Sequence, residues 1–306
     1  MRLVFYRNFD APVNLLTSVG AFLHAVGNKL YEHVFPIYRP LYGTYKARTD
    51  RAERQLLRKI LFSGAIAVDV GANIGIYSEF LSRCVGPTGL VHSFEPSPDN
   101  FKRLQAATRK LSNVQISRAA VGEHTGNSKL YLSNKLNVDH RTYVIHRDSR
   151  RPVPIQMIAL NDYFQPGERV DLIKMDIQGY ELHALRGTNR VLADNPDIKL
   201  LLEFWPYGLK QAGANWEELV QMLEGFGMDL TLVRSEGLIP FNRSDIRSDS
   251  SWYINLFASR KPKMDSQSVG LQSYRIFGIS ASPVRDNIHS FELAEAFVKS
   301  TQASLT

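Results

Sequence analysis

Two acids and two glycines at fixed spacing carry the first chemical signal in the chain. Asp69, Gly71, Asn73 and Gly75 fall in "VDVGANIG", directly after an apolar run and directly before the helix-like "IYSEFLSRCV". Bare backbone at a strand-to-helix turn lets a ligand approach peptide N–H groups. A dinucleotide turn sets a pyrophosphate there, through G-x-G-x-x-G. Here Asp69 stands immediately before the turn, where an anion repels phosphate and attracts an ammonium or sulfonium. Glu95 closes the next apolar run, "LVHSFE", at the position where a carboxylate accepts hydrogen bonds from ribose hydroxyls. A cationic amino-acid end and a ribose in one ligand point to S-adenosylmethionine. The structural alternative is that both glycines serve close helix–sheet packing and Asp69 caps the next helix.

A second pair of acids ends two later apolar runs: Asp176 in "VDLIKMD" and Glu203 in "LLEFWP". If such a donor gives up its methyl, the transfer needs in-line alignment and a place for any proton the acceptor loses. Asp176 is the first candidate for the base and Glu203 the second, against a helix cap and a structural pair respectively. No metal-ligand spacing is present, so no metal is expected. His140, His146 and His183 could reach the active face, although each such histidine is more often an ordinary surface or packing residue. Arg141, Arg147, Arg150 and Arg151, in the irregular stretch 133–151, could grip an anionic group or stand in a solvated loop. Trp205 and Tyr207 could stack on a sugar or simply pack.

Positioning such groups needs alternating strands and helices. "AIAVDV", "LVHSFE", "VQISRAAV", "VDLIKMD", "IKLLLEFW", "MDLTLVR" and "SWYINLFAS" read as strands. Helices are expected through "IYSEFLSRCV", through "SPDNFKRLQAATRKL" with Ser97 as N-cap and Pro98 first, and through "YELHALRGTNRVL" and "WEELVQMLEGF". Strands that are apolar throughout are buried on both faces, which is the pattern of a parallel sheet between helices. The connection between the last two strands is too short in helical pattern for a crossover, so the last strand should run antiparallel. "KLYLS" and "PVPIQMI" are strand-like segments around a polar stretch. Upstream, residues 46–62 read as a helix opened by a capping box of Asp50 and Glu53.

The 306 residues are 44% hydrophobic and 22% charged, enough for one large core. One cysteine, Cys84, excludes an internal disulfide framework. Residues 1–60 hold 10 Lys and Arg against 4 Asp and Glu, a balance of +6, and the other 246 hold 27 against 26, a balance of +1. This distribution does not suggest a nucleic-acid-binding face. It leaves open a peripheral contact of the basic N-terminus with an anionic membrane, or a plain solvated helix. Residues 11–31 lack the about 20 uninterrupted apolar residues of a span, so a packed or surface-lying helix and a cytoplasmic location are expected. The expected division is a helical extension at 1–60, a domain at 61–260 and a polar tail at 261–306, with one short helix in "SFELAEAFVKS".

In order and interval, "VDVGANIGIYS", "FEPSPDNFKRL", "AVGEHTG" and "IKMDIQGYELHALRG" resemble the FkbM-type family of S-adenosylmethionine-dependent methyltransferases, across roughly residues 60–235. The resemblance implies a class I methyltransferase fold, an α/β, Rossmann-like doubly wound sheet of seven strands with the last antiparallel. It also implies O-methylation of a sugar, glycolipid or secondary metabolite. Carried over, Asp69, Gly71, Asn73 and Gly75 form the cofactor loop, and Glu95 takes the ribose. Two positions depart from the pattern. "RAAVG" has no acid for adenine, so a backbone or apolar contact from Ala119 to Val121, centred on Ala120, is expected to wall it. Gln178 stands where the family often has an acid, and an amide cannot act as a base or an anionic ligand. A noncatalytic S-adenosylmethionine-binding protein and a nicotinamide-dependent oxidoreductase are the rival readings.

Overall fold

The computed structural model describes residues 29–133, 139–144 and 150–260. The tail helix expected in 261–306, and residues 11–28, His146 and Arg147, lie outside them. Two helices come first, α1 (Phe35–Thr49) and α2 (Arg51–Ile60). The expected capping box is absent: Asp50 makes no side-chain bond to the helix backbone. Its carboxylate meets Lys46 at 2.6 Å and the Tyr77 hydroxyl at 3.1 Å, while Glu53 accepts from Asn255 Nδ2 at 2.6 Å. Tertiary partners have taken both caps.

The βα alternation then begins with β1 (Ile66–Val70), α3 (Ile76–Val85), β2 (Leu90–Phe94), α4 (Pro98–Thr108) and β3 (Val114–Ser117). A small sheet is inserted next, from β4 (Ala119–Val121), β5 (Gly126–Leu132) and β6 (Arg151–Ile158). The main sheet resumes through a short α5 (Leu160–Tyr163), β7 (Leu172–Met175), α6 (Glu181–Arg186), α7 (Asn189–Asp194) and β8 (Lys199–Phe204). It closes with α8 (Pro206–Gln211), α9 (Trp216–Gly225), β9 (Asp229–Arg234), β10 (Gly237–Pro240) and β11 (Ile254–Ser259).

The large sheet runs β10-β9-β11-β8-β7-β1-β2-β3. Its strands pair in parallel from β3 to β8, and β11 enters antiparallel between β8 and β9 as expected. Without β10 this is the seven-stranded doubly wound order; β10 adds an eighth strand as a hairpin on the edge. Alternation assigns the faces. Val68 and Val70 enter the apolar cluster with Ile173, Leu182 and Leu202, whereas Ala67 packs with Leu57, Phe80 and Leu81 on the other side.

Two elements break where the sequence reads as continuous. "VQISRAAV" leaves the large sheet after Ser117, and Ala119 pairs with Gln156 of β6 instead. The helix expected through "YELHALRGTNRVL" divides at Gly187, because an added Cβ there would lie 2.1 Å from the Gly122 carbonyl oxygen. The close crossing of those two backbones forces the break.

Candidate active site

The sheet switches direction at β1, whose neighbours are β2 on one side and β7 on the other, and such a point opens a crevice at the carboxyl ends of the strands. The turn after β1 enters it with Gly71 at φ 81°, Asn73 at φ 51° and Gly75 at φ 85°. A Cβ on Gly71 would sit 2.1 Å from the Asp176 carbonyl oxygen, and one on Gly75 would sit 3.0 Å from Leu104 Cδ1. Both glycines are thus required by close approach as well as by backbone conformation. Asn73 accepts the left-handed region, as an asparagine does at modest cost.

That conformation aims the Asn73 N–H at Glu95, whose Oε2 accepts it at 2.8 Å. Oε1 accepts the Ser97 N–H, also at 2.8 Å, so the loop and the start of α4 fix the carboxylate between them. Ser97 does occupy the N-cap, but its own side chain makes no cap bond. Burial pushes the Glu95 carboxyl up to about 7, with the two N–H groups and Lys174 pulling it down and Asp69 adding to the rise. Asn73 Oδ1 is a buried acceptor without a hydrogen-bond partner among the described residues. An unfilled acceptor beside a carboxylate with spare lone pairs suits a ligand rich in donors, such as an ammonium and ribose hydroxyls. These residues fit S-adenosylmethionine.

Asp69 lies elsewhere than expected. It is wholly buried on the α3 side of the sheet, where Oδ2 accepts from the Ser78 hydroxyl at 2.8 Å and Oδ1 lies 3.4 Å from Lys174 Nζ. The geometry makes it a support beneath the loop rather than a wall of the crevice. Lys174 was missed, though a lysine inside an otherwise apolar strand signals a buried counter-ion. It stands opposite Asp69 in the β1–β7 register. The Ala120 side chain packs with Leu130, Ile155 and Met157 in the small sheet, against Tyr180.

On the other side of the crevice Asp176 follows β7 and Glu203 lies within β8. The chain after Asp176 turns through Gln178 at φ 59°. This swings the amide between the acids: Gln178 Nε2 donates to Asp176 Oδ1 at 3.0 Å and to Glu203 Oε2 at 3.2 Å. The Gln178 carbonyl oxygen in turn accepts from the Tyr143 hydroxyl at 2.7 Å, which ties the segment after β5 to the site. Glu181 opens α6, and burial pushes its carboxyl up to about 7. From above, α1 contributes Lys46. Burial depresses its ammonium, but the negative charge of Asp50, with Tyr77 and Asp176 behind it, more than reverses this and holds it protonated.

Several side chains considered for substrate contact have other duties. Trp205 is buried, its ring pressed against Gly208 and covered by the Arg141 guanidinium at 5.2 Å. It is a packing residue and offers no face to a sugar. Tyr207 stands beside it, half-buried. Arg141 and Arg150 share Asp139, at 2.9 and 2.6 Å, and Arg151 opens β6 on the surface. Burial lowers His140 to about 4, so its ring is neutral when Nδ1 accepts the Ser133 N–H at 3.2 Å. His183 meets the Ala212 carbonyl at 3.0 Å and stacks on Tyr180.

A doubly wound sheet with this strand order, an antiparallel insertion between β8 and β9, and a glycine turn facing an acid after β2 defines the class I methyltransferase architecture. Residues 69–229 match the family model "Methyltransferase FkbM domain", and the chain belongs to that family. It is 29% identical over 160 residues to "Methyltransferase 1" of Beauveria bassiana (strain ARSEF 2860), a match covering 44% of this chain and 63% of that protein. It is 26% identical over 211 residues to "Methyltransferase sdnD" of Sordaria araneosa, covering 57% and 77%. Among solved structures, a SAM-dependent methyltransferase from Aquifex aeolicus aligns with a TM-score of 0.39 at 17% identity, over 67% of this chain and 87% of its own.

Proposed function

We propose that the protein is an S-adenosylmethionine-dependent O-methyltransferase whose acceptor is the hydroxyl of a sugar, glycolipid or secondary metabolite. The observation that carries this reading is the opposition, across one crevice, of the Glu95–Asn73 cradle and the Asp176–Gln178–Glu203 bridge. When bound, the cofactor supplies an electrophilic methyl on a sulfonium. Glu95 binds ribose hydroxyls, Asn73 Oδ1 takes a further donor, and Asp69 with Lys174 holds the loop from below.

Asp176 is the group at hand for the acceptor proton. When the acceptor oxygen is methylated, the Asp176 carboxylate would take the hydroxyl proton that it gives up. The Gln178 amide keeps that carboxylate oriented and offsets its repulsion from Glu203. Family membership weighs against the nicotinamide reading. Calorimetry with S-adenosylhomocysteine and with NAD should show binding of the first alone. Asp176→Asn should keep that binding while turnover on a hydroxyl acceptor falls about 100-fold or more. Unchanged turnover would remove Asp176 from the reaction, and a parent protein that binds but never transfers would be a binding module.

A further inference from the structure

Helix α1 is apolar on two sides, and among the described residues only one of them is packed. Tyr38 and Tyr42 point inward and pack with Tyr31, Ile74 and Ile76, so this face lies on the cofactor loop itself. Along a second face run Val34, Ile37, Leu41 and Tyr45, exposed by 37%, 54%, 39% and 39%. Spacings of four residues set Ile37, Leu41 and Tyr45 along one side of the helix, with Val34 at its N-cap and Tyr45 bordering the inward face, where it stacks on Tyr42 at 6.3 Å. A stripe from Val34 to Tyr45 is about 17 Å long at about 1.5 Å per residue.

Charge surrounds the stripe unevenly. No acid occurs within Phe35–Thr49. Over residues 29–60 the exposed ionic side chains are Lys29, Arg48, Arg51, Arg58 and Lys59 against Glu32 alone. The segment's other acids are drawn inward, Asp50 to Lys46 and Glu53 to Asn255. Four half-exposed side chains fall well short of the roughly 800 Å² per partner that a stable protein interface buries. A shallow apolar ridge flanked by exposed cations is instead the surface that an anionic bilayer accepts.

We propose that α1 seats the protein on an anionic membrane surface, with Val34, Ile37, Leu41 and Tyr45 entering the headgroup boundary and Arg48 and Arg51 meeting lipid phosphates. Among the described residues no helix is long and apolar enough to cross a membrane, so the contact is peripheral. The opposite face of the same helix covers the cofactor loop and brings Lys46 into the field of Asp176. Docking there sets the crevice against the lipid surface, and the acceptor hydroxyl is then one carried by an amphiphile. This last clause rests on the methyl-transfer reading; the docking does not.

The test is flotation of the full chain with phosphatidylcholine vesicles, with and without phosphatidylglycerol. Binding should require phosphatidylglycerol and fall as salt is raised. Ile37→Ser with Leu41→Ser should weaken it at least about tenfold through lost apolar contact, and Arg48→Glu through lost charge. In both variants S-adenosylhomocysteine affinity in solution should equal that of the parent. Should the double variant fail to fold, Arg48→Glu decides alone. Absence of vesicle binding, binding indifferent to phosphatidylglycerol, or variants that float like the parent would overturn the proposal. A parent dimer that the double variant dissociates, without vesicle binding, would assign the stripe to a second copy. Failure of the parent to bind S-adenosylhomocysteine would strike the methyl-transfer reading and leave the flotation result standing.

Discussion

The two sides of the crevice hold their acids by different means. Beside β1 and β2 the holders are backbone groups: Glu95 is fixed by the N–H of Asn73 and of Ser97. Beside β7 and β8 they are side chains, with the Gln178 amide between Asp176 and Glu203, steadied by Tyr143 from the segment after β5. A backbone-made cradle needs special dihedral angles and bare Cα atoms, so it leaves glycines in the sequence. A side-chain-made cradle makes fewer such backbone demands, although Asp176 and Gln178 lie within the "IKMDIQGYELHALRG" block. The first side suits a ligand common to a whole fold, and the second suits acceptors that differ from protein to protein.

The sharpest way to break this contrast is at Gly71. An alanine there must hold φ 81° with its Cβ 2.1 Å from the Asp176 carbonyl. Gly71→Ala should cost about 3 kcal/mol or more in urea unfolding, whereas Gly126→Ala, with nothing within 4 Å, should stay within about 0.5 kcal/mol. A mild effect at Gly71 would mean that the loop is not set by its backbone.

Next in size is Gln178→Glu. A third carboxylate then faces Asp176 and Glu203, and mutual repulsion raises the proton affinity of the group. The acid limb of the pH–rate profile should move to higher pH, so that lost turnover is recovered as pH rises, with S-adenosylhomocysteine affinity unchanged. A loss equal at every pH would reduce Gln178 to packing.

The smallest effect tunes the backbone side. Ribose hydroxyls bond best to ionised Glu95, and its carboxyl stands at about 7 in the free protein. Protonation competes with the ligand, so affinity for S-adenosylhomocysteine should fall up to about tenfold between about pH 8 and about pH 6. Glu95→Gln should weaken binding and flatten that dependence. Calorimetry across the same range measures both.

The same contrast explains what could be read from the chain. Apolar runs ended by acids, alternating with helical periods, suffice for the parallel sheet, the antiparallel β11 and the position of the crevice. The departure of β4 after Ser117 is invisible, because "VQISRAAV" is equally good strand in either sheet. β10 is missed because Leu238 and Ile239 are exposed on an edge and lack the alternation of a half-buried strand. The break at Gly187 depends on Gly122, 65 positions away, and the cap residues Asp50 and Glu53 were claimed by Tyr77 and Asn255. Asp69 shows the limit within the site itself. Its position beside the turn was legible, but only the β1–β7 register reveals that Lys174 neutralises it from below.

The small sheet leaves and rejoins the main body at neighbouring points, for the Gly122 N–H donates to the Ile158 carbonyl at 3.1 Å. Away from that root the segment meets the β7–β8 side of the crevice, through Tyr143 on the Gln178 carbonyl and Arg141 over Trp205, so exchanging it would alter that side while leaving the Glu95–Asn73 cradle in place. Grafting the corresponding segment of another family member between those anchors is therefore a practical route to new acceptor preferences on an unchanged donor platform.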